Sequence, residues 1–94
     1  MSGAGLLEAL RVRGFIPTDD GWLDFTVADG ALFVPHGRVR VVLDDNVTVI
    51  YVLTGNGVLL WDVKLSKSTP LSVVTCVIDQ AIAHVMIARA VASR

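Results

Sequence analysis

The chain has 94 residues, of which 53% are hydrophobic and 18% are charged, and its formal net charge is −1. This length fits a single domain over residues 1–94, and the near-neutral charge argues against a general nucleic-acid binder, which needs a basic face. The lone cysteine, Cys76, excludes an internal disulfide. With so few charges, the surface is expected to expose apolar area, which commonly marks an interface.

The N-terminal segment predicts a short helix over residues 6–13. Its buried face is expected to hold Leu6, Leu7 and Leu10. Gly14 fits the left-handed position past the helix end, and Phe15 can fold back onto the last turn. The residues before this helix lack the basic and long apolar regions expected of a signal peptide. The single cysteine suits a reducing compartment, so a cytoplasmic location is expected.

The middle of the chain alternates apolar and polar residues between turn signals, which predicts four to five short strands. The expected strands are residues 22–27, 31–34, 38–43, 47–53 and 58–65. Short turns such as Asp29-Gly30 join consecutive strands, so the sheet is expected to be an antiparallel meander.

The alternation also assigns side chains to the two faces of this sheet. The residues expected to face the core are Val39, Val41, Leu43, Leu59, Trp61, Val63 and Leu65. Arg38 and Arg40 share the opposite face, and Lys64 is a candidate for the same face. These three cations form either a small basic patch or, as the pattern favours, an ordinary solvated face. Trp22 lies among polar residues, so a core position and an exposed interaction site both remain open.

The stretch from Leu71 to Val91 predicts a long final helix with two stripes of residues spaced three and four apart. The first stripe is entirely apolar: Leu71, Val74, Ile78, Ala81, Val85, Ala88 and Ala92. We expect it to pack on one face of the sheet, which gives an α+β domain. Charged residues such as Asp79 and Arg89 argue against a membrane span.

The second stripe of this helix is apolar at both ends and polar in the middle. It consists of Val73, Val77, Gln80, His84, Ile87 and Val91. Because the sheet can cover only the first stripe, a homodimer is the expected cover for the second, with Trp22 as a further interface candidate. Two alternatives remain: the stripe lies under the first helix in a monomer, or exposed edge strands pair between copies.

No set of residues has the spacing of a catalytic or metal site. Cys76, His84 and Asp79 supply the residue types of a nucleophile, a base and an orienting group, but one continuous helix does not bring them together. Asp19-Asp20 and Asp44-Asp45 are typical of turns. Cys76 itself is expected to be a small buried apolar residue. We therefore expect no cofactor, no metal and no enzymatic activity.

Three segments give the chain a resemblance to small proteins of actinobacteria and their phages, including mycobacteriophages. These segments are Arg13-Gly-Phe-Ile, Asp20-Gly-Trp-Leu-Asp-Phe and Leu60-Trp-Asp-Val-Lys-Leu-Ser followed by Thr69-Pro. The resemblance implies an accessory protein that binds a host protein, in the host cytoplasm if it is phage-encoded. The expected function is thus non-enzymatic binding by a homodimer. A small enzyme with a pocket between sheet and helix, and a nucleic-acid-binding regulator, are the alternatives.

Overall fold

The computed structural model describes the backbone of residues 3–28 and 35–92 and the side chains of residues 5–27 and 37–86. The elements are α1 (Gly3–Val12), β1 (Ile16–Pro17), β2 (Leu23–Ala28), β3 (Pro35–Leu43), β4 (Val47–Thr54), β5 (Leu59–Ser66) and α2 (Leu71–Ala92). The α+β class, with a short first helix, a strand meander and a long last helix, is confirmed. The predicted hairpin at Asp29-Gly30, the strand at 31–34, and the side chains of Ile87 and Val91 lie outside the described residues.

The strands form one antiparallel sheet in the order β1-β2-β3-β4-β5, so every strand pairs with its neighbours in sequence. This is the predicted meander. β1 was not predicted, because two residues are too few to show an alternating pattern. Its residues pair with the start of β2, Ile16 opposite Asp24 and Pro17 opposite Leu23. A tight turn joins the two strands, in which the Thr18 N–H donates to the Trp22 carbonyl at 2.7 Å.

Strand register separates an apolar inner face from a mixed outer face. One inner row runs across four strands as Leu23, Val41, Ile50 and Val63, and the next as Phe25, Val39, Val52 and Trp61. The outer row between them runs as Asp24, Arg40, Tyr51 and Asp62. Because side chains alternate strictly along a strand, these rows fix which residues face the helices and which face away from them.

The described part of the first stripe of α2 covers the inner face, as the sequence predicts; the side chains of Ala88 and Ala92 lie outside the described residues. Val74, Ile78, Ala81 and Val85 are each at most 5% exposed. The helix lies mainly across β3, with contacts to β2 and β4 on either side. Gly37 permits this close approach, because a Cβ built there would lie 3.0 Å from the Val85 Cβ. Among the described residues, no helix is both long and apolar enough to cross a membrane.

The end of α1 is fixed by the glycine that the sequence singled out. Gly14 adopts a φ of 93°, and its N–H donates to the Arg11 carbonyl at 3.0 Å. The N–H of Phe15 donates to the Leu10 carbonyl at 3.1 Å, which completes a Schellman motif. Phe15 is therefore folded back into the core, where its ring lies 5.7 Å from that of Phe25.

Four side chains that were expected to be buried are exposed instead. Cys76 lies on the solvent side of α2. Leu7, Leu43 and Leu59 are 46%, 38% and 49% exposed. Leu43 lies at the end of β3, beyond the cover of α2, and Leu7 lies on the side of α1 away from the core. A register shift between β4 and β5 pairs Leu59 with Leu53, on the outer face of the sheet, whereas Trp61 pairs with Val52 on the inner face. Simple alternation predicts neither the end of the helix cover nor this bulge.

Candidate interaction surfaces

The outer face of the sheet carries a cluster of polar and aromatic side chains built on β2, β3 and β4. Asp24 and Arg40 are direct cross-strand partners. The Arg40 Nε and Nη2 atoms each donate to one Asp24 carboxylate oxygen at 2.8 Å. The guanidinium carbon of Arg40 lies 4.5 Å from the centre of the Trp22 ring. We call Trp22, Asp24, Arg40 and Tyr51 the Arg40 cluster.

The geometry of the Arg40 cluster holds its central side chain in one orientation. The hydrogen bonds to Asp24 raise the pKa of Arg40 above its ordinary value, so its charge is fixed. A two-point carboxylate contact and stacking on an aromatic ring are the two interactions for which a planar guanidinium is best suited. The cluster is thus a rigid surface that presents an aromatic ring and those N–H groups of Arg40 that do not bond to Asp24.

A shallow depression of about 220 Å³ opens next to this cluster. It is lined by Trp22, Arg40, Val42, Tyr51 and Leu53. Both described helices pack on the other side of the sheet, so the depression lies on a face that they leave uncovered. Its chemistry is that of an apolar hollow with one guanidinium at the rim. It can receive an apolar group that carries a hydrogen-bond acceptor next to it.

The expected alignment of Arg38, Arg40 and Lys64 on one face is confirmed, but this face is not a uniformly basic patch. Asp24 holds Arg40 and also lies 3.8 Å from the Arg38 Nε. Asp62 adds a second carboxylate on the same face, opposite Tyr51 in register. Phosphate binding needs cations that are not already neutralised, so this face gives little support to the nucleic-acid alternative.

The structure divides the second stripe of α2 between core and surface. Val77 packs against the core cluster, whereas Val73 is 46% exposed. Gln80 and His84 are also exposed. The stripe flanks β5, because His84 reaches Trp61 on that strand. Trp22, the remaining predicted interface residue, lies on the opposite side of the sheet, so the predicted set does not form one surface.

The first helix packs against the other flank of α2. The Arg13 Nε donates to Asp79 Oδ1 at 2.7 Å, and Arg13 also donates to the Ala9 carbonyl of its own helix. The hydrogen bond from Arg13 lowers the pKa of the Asp79 carboxyl. α1 therefore does not cover the described part of the second stripe, Val73 to His84, and this part is not buried beneath the first helix.

A hydrogen bond between Trp61 and His84 joins β5 to α2. The indole Nε1 donates to His84 Nδ1 at 2.9 Å, and the two rings are nearly parallel, with an interplanar angle of 18°. Trp61 packs against the core, as predicted, but is only partly buried. The sequence signal for this contact was the general need of a half-buried indole N–H for an acceptor.

The outer edge of β5 is a third surface, because within residues 3–28 and 35–92 this strand has a neighbour on one side only. The other sheet edge, β1, contains two residues, and one of them is Pro17. β5 contains eight residues, and the apolar side chains at and just before its start are well exposed: Val58 61%, Leu59 49% and Leu60 49%. Long, unblocked edge strands can pair with further strands.

Comparisons with protein-family models, curated proteins and solved structures give no match for this chain. The features of the chain that bear on function are therefore the Arg40 cluster, the second stripe of α2 and the outer edge of β5. The Arg40 cluster could be recognised from sequence only through register, since Asp24 and Arg40 are 16 residues apart and meet only when β2 and β3 pair.

Proposed function

We propose that this chain is a non-enzymatic binding protein that acts as a homodimer and engages a protein partner through the Arg40 cluster. The proposal rests on the Arg40 guanidinium, which two hydrogen bonds to Asp24 hold over Trp22 on the sheet face opposite both described helices. Trp, Tyr and Arg are the residue types that contribute most to binding energy at protein interfaces. A side chain already fixed in place loses little entropy when a partner binds.

The size of the depression favours a protein partner over a small molecule. Its volume of about 220 Å³ is below the range of roughly 300–1,000 Å³ typical of small-molecule pockets. One apolar side chain of a partner fits such a hollow, with a neighbouring backbone carbonyl accepting a bond from Arg40. The resemblance to phage proteins makes a host protein the first partner to test.

The packing between the sheet and α2 supports the non-enzymatic part of the proposal. The enzyme alternative places its pocket between the sheet and α2. Along the described part of that layer the space is occupied by Ile50, Val52, Ile78 and Val85, none more than 1% exposed. These side chains leave no polar groups converging there.

The partner is identified and tested by comparing three forms of the protein. Tagged wild type, Trp22→Ala and Val12→Ala are used as baits in extract of the native host, and the captured protein is then purified. Val12 is 69% exposed on α1, so its truncation serves as a control far from the cluster. Calorimetry should show equal affinity for wild type and Val12→Ala. For Trp22→Ala we expect a Kd about thirtyfold higher, as for a hot-spot truncation.

Equal affinities for all three forms would rule out the Arg40 cluster as the binding site. The same conclusion would follow if every protein captured by the folded wild type were also captured by Trp22→Ala. Circular dichroism of each variant establishes that any lost binding is not lost folding.

A further inference from the structure

We infer that the homodimer forms by antiparallel pairing of β5 with β5 of a second copy, with Val63 on the two-fold axis. This inference rests on the proposed homodimer and specifies its interface. β5 is the long open edge of the sheet, and its backbone groups on that side lack a strand partner among the described residues. A two-fold axis perpendicular to the sheet would satisfy these groups on both copies at once.

Charge determines the register of this pairing. Asp62 and Lys64 are exposed on the outer face, on either side of Val63. When Val63 pairs with itself, Asp62 of each copy lies opposite Lys64 of the other, so two oppositely charged cross-strand pairs form. Centring the axis on Asp62 or Lys64 instead would place like charges opposite each other, which is destabilising. Val63 is the residue of β5 whose two neighbours carry opposite charges.

The inner face of β5 fits the same register. Trp61, Val63 and Leu65 are only partly buried, because α2 lies over β2, β3 and β4 and leaves the last strand half covered. Pairing through Val63 sets Trp61 of one copy opposite Leu65 of the other. Two half-covered apolar strands then lie side by side and remove part of each other's surface from water.

The second stripe of α2 is a weaker candidate for the interface. Val77 already packs in the core, and the His84 Nδ1 already accepts the bond from Trp61. The pairing through β5 also has a consequence for function. It joins two sheets into one of ten strands and puts both Arg40 clusters on the same side, so a dimer would present two copies of the proposed binding surface.

Two opposite charge reversals test the register. Asp62→Lys leaves two lysines flanking Val63, and Lys64→Asp leaves two aspartates, so each variant alone sets like charges opposite each other. By sedimentation equilibrium we expect wild type to be a dimer and each variant to dimerise at least about tenfold more weakly. An equimolar mixture of the two variants should recover the dimer, because each strand then meets its complement.

A symmetric disulfide provides a second measurement. In the Val63→Cys/Cys76→Ser protein the substituted thiols meet at the two-fold axis. The Cα atoms of position 63 in the two copies would be about 4.5–5.5 Å apart, within the range that a disulfide spans. Mild oxidation should give a covalent dimer. The same change at position 73, Val73→Cys/Cys76→Ser on α2, is the matched control and should give little.

The outcomes separate this interface from the homodimer in general. A dimer that withstands both charge reversals, or one dissociated by Val73→Glu but not by them, overturns the β5 pairing and leaves the proposed homodimer standing. Charge variants that weaken the dimer but do not recover it when mixed overturn the register. A monomeric wild type at 100-fold the concentration used for binding overturns both the pairing and the homodimer.

Discussion

His84 Nδ1 accepts a hydrogen bond from the indole N–H of Trp61, so the neutral imidazole carries its own proton on Nε2. This single contact changes what the second stripe of α2 can do. A polar residue in a helix seam fixes a dimer when it has to find its partner across the two-fold axis. His84 has found one within its own chain, so the half-buried indole and the histidine satisfy each other without a second copy.

Cys76 shows how position on the helix, rather than residue type, sets exposure. It lies two residues, or about 200° of rotation, before Ile78, which points into the core. A small apolar residue at that angle faces solvent. We predict that Cys76→Ser changes the free energy of unfolding by less than about 0.5 kcal/mol, as is usual for exposed sites.

The same exposure makes the thiol accessible in the native state. Iodoacetamide should alkylate Cys76 in the folded protein at a rate close to that in denaturant. Two results together would show that Cys76 is buried in the core: a native thiol that resists alkylation, and a Cys76→Ser protein that loses more than about 2 kcal/mol of stability.

At the level of the elements, α2 and the sheet depend on one apolar stripe. Ile78 is fully buried, so Ile78→Ala removes buried methylene groups and leaves a cavity. We expect a loss of about 2–5 kcal/mol of stability, measured by urea unfolding. Val73→Ala on the same helix is the control: Val73 is 46% exposed, so the loss should stay below about 1 kcal/mol. Equal losses for the two variants would contradict the orientation of α2.

The contact between α1 and α2 should make the stability of the protein depend on pH, and the sign of this dependence follows from the pKa of Asp79. The pKa of Asp79 is lowered by the hydrogen bond from Arg13, so the folded state binds the proton of this carboxyl less readily than the unfolded chain. The contribution to stability is therefore complete above the unfolded value of about 3.9 and is lost as pH falls through the lower, folded value. Because the side chain of Asp79 is 55% exposed, screening keeps this contribution below about 1 kcal/mol.

Asp79→Asn isolates this contribution. The variant should be slightly less stable than wild type at pH 6, and the difference should shrink towards pH 2, as followed by thermal unfolding across that range. Asp45→Asn, in an exposed turn, should show no such convergence. A difference between wild type and Asp79→Asn that grows as pH falls would have the wrong sign for this ion pair.

Periodicity was enough to predict the elements and their order, because each pattern is local. The stripe through Ile78 and the alternation around Val39 and Val41 required no knowledge of distant residues. The Arg40 cluster was not predictable in the same way, since Asp24 and Tyr51 reach Arg40 only through cross-strand register. The extent of the helix cover, which leaves Leu43 exposed, was equally non-local, and so was the bulge between β4 and β5, which turns Leu59 to the outer face.

For the whole molecule, a monomer differs from a dimer paired through β5 in which backbone groups of the sheet edge are protected from solvent. Half of the amides of β5 bond to β4, and the other half point outward from the edge. In a monomer the outward amides exchange with solvent at rates close to those of an unstructured chain. In a dimer paired through β5 they bond to the second copy, so their exchange slows as protein concentration rises.

We therefore predict concentration-dependent hydrogen exchange confined to the outward amides of β5. NMR-detected exchange of wild type at two concentrations that bracket the dimer Kd should show it. The Asp62→Lys variant, which pairs weakly, should lose the protection while the amides bonded to β4 keep theirs. Amides of α1, which takes no part in the pairing, serve as the internal control. Protection that spreads instead over the exposed side of α2, around Val73 and Gln80, would place the interface on the helix.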